Sequence, residues 1–170
     1  MNIFAIEGRK DNVDFVKSAQ SLDNLRVVKM IVESCQILST AMWNNGVPAP
    51  YKPTHTNHPC VKWATESYVN FFNLAVHAEA LLAEYNRRFG KIHKCENVLR
   101  DIMLNANSDR FTIRANTPLP LCMPEEFIVT GDTVESYRRY YASKPNIRYR
   151  TADIPSWFRA YRGDMPFVEV

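Results

Sequence analysis

Over residues 21–44 the apolar side chains Leu25, Val28, Ile31, Val32, Cys35, Leu38 and Met42 recur at the spacing of one helical face. Ser21 or Asp23 stands where a cap is needed, and Asn44-Asn45-Gly46 stops the run. A second, longer helix is predicted over 59–89. It opens on Pro59, carries Trp63, Val69, Phe72, Val76, Ala80, Leu81 and Tyr85 on one broad face, and ends at Gly90. Val98, Leu99, Ile102 and Met103 stripe a third helix over 95–107. A helix over 132–142, capped by Asp132 or Thr133, and a short one over 155–161 complete the set. Residues 1–10 read as a short strand or an extended arm. Segments 47–58 and 105–124 are punctuated by prolines and read as loops, the places where function tends to sit. The pattern predicts an all-α chain: a single compact domain over 1–170, with about five to six helices and long loops.

Composition agrees with that pattern and narrows it. With 46% hydrophobic and 12% aromatic residues, a chain of 170 can bury a real core. No apolar stretch reaches the roughly 18 residues of a membrane span, and the apolar start Met1–Ile6 is too short for a signal peptide. The expected location is the cytoplasm, or a host's cytoplasm if a phage encodes the chain. Cys35, Cys60, Cys95 and Cys122 are widely spaced and read as reduced packing residues. His55, His58 and Cys60 look like metal ligands, but their spacing matches no usual zinc pattern and no second cluster completes them. No metal or cofactor is expected, and nothing in the sequence fixes an oligomeric state.

Charge changes the picture more. Segment 137–162 carries Arg138, Arg139, Lys144, Arg148, Arg150, Arg159 and Arg162 against Asp153 alone, so its +6 leaves about −3 on the rest of a +3 chain. Tyr137, Tyr140, Tyr141, Tyr149, Trp157, Phe158 and Tyr161 are threaded among these cations. Cations neutralise phosphates and aromatic rings stack on bases, so one reading is a grip on nucleic acid or a nucleotide. The plainer reading makes the rings core residues with arginine stems lying over them. On the first reading Arg138, Arg139, Arg148 and Arg150 hold phosphates, and Tyr141 or Trp157 stacks on an unstacked base.

Three polar groupings carry candidate chemistry. Lys29, Glu33, Gln36 and Thr40 form one stripe of the first long helix. Lys29 and Glu33 fit either an ordinary exposed pair or an amine nucleophile with its acid/base partner. In the loop Thr54-His55-Thr56-Asn57-His58, His55, Asn57 and His58 could address a substrate, or could serve as caps and turn bonds. In Arg87-Arg88-Phe89-Gly90-Lys91-Ile92-His93-Lys94, Lys91 and His93 either track phosphate or complement a helix end. Signatures for phosphate-binding loops, dinucleotide folds, zinc proteases and serine hydrolases do not occur.

The runs Val27-Val28-Lys29-Met30-Ile31, Thr54-His55-Thr56-Asn57-His58-Pro59 and Arg88-Phe89-Gly90-Lys91-Ile92-His93-Lys94 carry a resemblance, as do Met123-Pro124-Glu125-Glu126-Phe127, Tyr137-Arg138-Arg139-Tyr140-Tyr141 and Pro155-Ser156-Trp157-Phe158. Together they resemble phage and bacterial small proteins labelled pyrimidine dimer DNA glycosylases, of the endonuclease V type. The resemblance implies a helical enzyme that binds and kinks double-stranded DNA and cuts the glycosidic bond of a damaged pyrimidine. It implies attack by an N-terminal α-amine, an imine with the sugar, and help from a Glu. That chemistry calls for a small residue after the initiator Met, whereas this chain reads Met1-Asn2. The amine is then that of Met1 or Lys29, with Glu33 or Asp23 as the carboxylate, or the chain is not a lyase. Two alternatives stay open: a phage enzyme that modifies pyrimidine bases, and a non-catalytic nucleic-acid or nucleotide-binding protein.

Overall fold

The N-terminal arm is the first surprise in the core. Ile3, Phe4, Ala5 and Ile6 are all buried although none lies in a strand or helix. The computed structural model describes the backbone of all 170 residues and every side chain except that of Thr151. After the arm, β1 (Gly8–Arg9) and β2 (Asn12–Val13) pair as a minimal antiparallel hairpin. Gly8 takes φ +123°, and a Cβ there would meet the Asn12 carbonyl oxygen at 2.2 Å, so the turn accepts no side chain.

The helices follow in order: α1 (Phe15–Gln20), α2 (Asn24–Asn44), α3 (Pro59–Glu66), α4 (Tyr68–Phe89), α5 (Cys95–Asn105), α6 (Thr133–Ala142) and α7 (Phe158–Arg162). Two-residue strands β3 (Arg148–Tyr149) and β4 (Val168–Glu169) pair in parallel near the C-terminus. The chain is 54% helical, and the all-α expectation stands, with seven α-helices among the described residues where five to six were predicted. No helix among them is long and apolar enough to cross a membrane.

The predicted helix over 59–89 is two helices. Ser67 is extended (φ −133°, ψ 133°) and its hydroxyl accepts from the N–H groups of Val69 and Asn70, capping α4. The freed backbone is satisfied across the break, where Tyr68 donates to the Ile113 carbonyl and the Ile113 N–H to that of Glu66. The restart shifts the buried face. Phe71, Leu74, Ala75, Ala78 and Leu81 go inward, while Phe72 is left 45% exposed. The face of α2 is likewise turned from the predicted one. Val27, Met30, Ile31, Cys35, Ile37 and Leu38 are buried, whereas Leu25 and Val28 face out.

Helix α2 packs on α4, α3 and α5, and α1 packs on α4. One contiguous apolar cluster links the arm, these helices and the aromatic rings of the C-terminal segment. His77 on α4 is fully buried, with its Nδ1 2.8 Å from the Phe15 carbonyl, to which it donates. Burial pushes its pKa down to about 4 from the usual 6.5. The unfolded chain takes up this proton below about pH 6.5 while the folded ring stays neutral, so stability falls as the pH drops from there towards 4. We expect this ring to cost about 3 kcal/mol of stability across that interval. Urea melts should show the loss in the wild type and a smaller one in His77→Gln, which keeps a donor for Phe15.

Candidate active site

The buried arm delivers the chain's first residues to α2. The Met1 α-amine lies 3.9 Å from Glu33 Oε2, and the Asn2 N–H donates to the same oxygen at 3.2 Å. Lys29 Nζ, one helical turn back, is 3.6 Å from Glu33 Oε1. The Asn2 side chain locks the approach: its Nδ2 donates to the Cys122 carbonyl at 2.9 Å and its Oδ1 accepts from the Ile3 N–H. Glu33 thus holds two amines, one at the start of the buried arm and one on the 66% exposed side chain of Lys29. The stripe position Thr40 does other work, bridging Gln36 and the backbone of Thr54.

A pocket of about 240 Å³ opens at this carboxylate, with Arg26, Lys144 and Tyr140 among its lining groups. Lys144 Nζ sits 3.5 Å from the centre of the Tyr140 ring, a cation–π contact at the pocket's edge. Leu25, 48% exposed, adds an apolar edge. A carboxylate with an amine, ringed by cations and bounded by an apolar edge, suits attack on an electrophilic carbon in an anionic polymer.

On the other side of the amine stand the polar loop and two cysteines. His55 adopts φ +50°, rare for a residue with a side chain, and the carbonyl of His55 accepts from the His58 N–H. His58 caps α3, its Nδ1 accepting from the Cys60 N–H at 3.2 Å. Burial first, then the positive α-amine and His55, hold its pKa below the usual value against the pull of Glu33, so the imidazole is neutral at pH 7. Asn57 and His55 are exposed, with His55 Nδ1 2.7 Å from the Thr54 hydroxyl. Cys60 Sγ and Cys122 Sγ are 3.4 Å apart. The hydrogen bond with Cys60 lowers the Cys122 pKa, helped by the α-amine, while the same contact and burial raise that of Cys60.

Much of the basic aromatic segment is structural. Tyr141 is fully buried, its hydroxyl 2.8 Å from Asp23 Oδ1, so the ring has no face for a base. Tyr137 and Tyr149 are buried too. Arg138 donates to the Ile6 carbonyl and Glu7 and lies over Trp157, whose Nε1 also donates to Glu7. Arg150 donates to the Arg88 carbonyl, Arg162 to a ring of carbonyls, and Arg139 pairs with Glu135. The Arg148 guanidinium has no partner among the described residues and is exposed. Asp23, the other carboxylate considered, is buried as the cap of α2. Lys91 is exposed beyond α4, and His93 Nδ1 accepts from the Cys95 N–H at the start of α5; neither lines the pocket. Sequence reasoning missed Arg26, Tyr140, Lys144, Asn2 and Cys122 as neighbours of the amine. Lys144 and Tyr140 carried a signal, as part of the basic aromatic segment.

A family model described as pyrimidine dimer DNA glycosylase matches residues 1–97, which include the arm, Lys29, Glu33 and the His55–His58 loop. No curated protein and no solved structure matches the chain.

Proposed function

The chain belongs to the pyrimidine dimer DNA glycosylase family, and from that premise we propose that it cleaves the glycosidic bond of a damaged pyrimidine in double-stranded DNA through an amine at Glu33. The observation that carries the reading is the α-amine held beside the Glu33 carboxylate at the mouth of a cationic pocket. The α-amine is the nucleophile. The arm buried from Ile3 to Ile6 holds it at Glu33, whereas Lys29 rides on a 66% exposed side chain. If Met1 is removed, the Asn2 nitrogen becomes the amine, and it already lies 3.2 Å from Glu33.

In the reaction the amine attacks C1′ of the sugar, the C1′–N bond to the base breaks, and the sugar is left as an imine on the protein. Glu33 takes the amine's proton and passes it to the ring oxygen as the C1′–O4′ bond opens to the imine, then takes a proton from C2′ as the 3′ phosphate leaves by β-elimination. Lys144 and the unpartnered Arg148 hold backbone phosphates, and Leu25 offers an apolar wedge to the opened base step. The test is incubation with a duplex carrying one cyclobutane pyrimidine dimer beside its undamaged twin. The expected result is a break at the dimer alone, with an unsaturated aldehyde at the new end. An intact damaged strand, despite tight binding, would reject the reading.

One observation favours a second reading, a pyrimidine-modifying enzyme. A cavity of about 710 Å³, lined by Phe15, Trp63, Asn12, Asn73, Asn116 and Thr117 among others, leaves room for a second small substrate. That reading predicts a mass gain on the base with the strand intact.

A further inference from the structure

Cys122 completes a donor set that neither loop holds alone. His58, Cys60 and Cys122 each place one ligand atom within 4.8 Å of the others. They come from the start of α3 and from the proline-rich segment 62 residues further on. We propose that these three side chains bind one thiophilic divalent cation of the Zn²⁺ class.

The donor chemistry is that of such sites: two sulfurs and one neutral imidazole. The geometry is close to what the ion needs. Two zinc–sulfur bonds at a tetrahedral angle set the sulfurs about 3.8 Å apart, and here they stand at 3.4 Å. Cys60 is fully buried and held by α3, while Cys122 is half-buried on a segment outside the helices, and the sulfurs need part by only a few tenths of an ångström. Binding forms two metal–sulfur bonds and one metal–nitrogen bond, and both thiol protons pass to solvent. His58 binds through one ring nitrogen and keeps its ring proton on the other. Water fills the fourth position. The buried pair Cys35 and Cys95, also in contact, has no such histidine and is the natural control.

The ion would act as a clamp. The Cys122 carbonyl holds Asn2, so fixing Cys122 to α3 fixes the arm that presents the amine. The inference gives His58 a ligand's role and stands whether or not the amine chemistry does.

The test is titration of the reduced full-length chain with Co²⁺ under argon, then displacement by Zn²⁺. One equivalent should bind, with thiolate-to-cobalt charge-transfer absorption and the strong d–d bands of a tetrahedral ion. Zn²⁺ should raise the melting temperature of the wild type. Cys122→Ser, the variant least able to disturb the core, should weaken binding by more than about 100-fold, beyond the loss of a mere supporting partner. It should also lose the melting shift, while Cys35→Ala keeps both. Absent charge-transfer bands, or bands that survive in Cys122→Ser, would overturn the site. So would mass spectrometry showing Cys60 and Cys122 joined as a disulfide in the protein as isolated.

Discussion

Glu33→Gln lowers single-turnover cleavage of a dimer-containing duplex by about 10²–10⁴-fold, the usual worth of a positioned acid/base group. The substitution keeps the shape of the side chain and an oxygen to accept from the Asn2 N–H, so the arm stays where it is. It removes the negative charge shared by the α-amine and Lys29, and with it the group that accepts the amine's proton. DNA affinity should hold or rise slightly, because a carboxylate facing phosphates is lost. Lys29→Ala is the informative partner. Lys29 is largely solvated, and an exposed pair contributes little, so its removal should slow cleavage by less than about tenfold, within 1.4 kcal/mol. A Glu33→Gln protein of normal rate would remove Glu33 from the chemistry. A Lys29→Ala protein as damaged as Glu33→Gln would make Lys29 the nucleophile.

Asp23→Ala has the largest expected effect on stability, a loss of about 3–5 kcal/mol. Asp23 is fully buried at the cap of α2. Its carboxylate accepts from the Leu25 N–H, the Arg148 N–H, the Tyr141 hydroxyl and the Arg26 guanidinium. Alanine leaves a buried hydroxyl without its acceptor and Arg26, whose side chain is 11% exposed, without its counter-ion. Because Arg26 lines the pocket and α2 carries Glu33, the damage should reach the site as well as the fold. Urea unfolding followed by circular dichroism measures the loss, and a change under about 1 kcal/mol would mean that the network is decoration.

These two carboxylates mark where the sequence is readable. Helical periodicity placed α2, α5 and α6 within three residues at each end, because each buries an apolar stripe against the core. It missed the break at Ser67, where a capping hydroxyl and a distant backbone partner at Ile113 outweigh propensity. It missed α1, a six-residue helix too short for a period to show. Counting charges overstated the C-terminal grip. Arg138, Arg150 and Arg162 spend their donors on the protein's own carbonyls, and Tyr137, Tyr141 and Tyr149 are core rings, as the plainer reading held. Glu33 stood out beside Lys29 as an ordinary helical pair. That an α-amine reaches it depends on a buried arm with no regular structure, which no periodicity signals. Cys122 carried no local sign at all, because its partners lie 62 and 64 positions back in sequence.

The proposed chemistry turns on one amine, and one measurement addresses it. The protein is incubated with an abasic duplex and borohydride, and the product is weighed intact and then digested and mapped. The prediction is a single covalent adduct on the α-amine of the first residue, Met1 or Asn2, abolished by acetylating the N-terminus and retained in Lys29→Ala. An adduct on Lys29, or none on a chain that still binds the duplex, would contradict it.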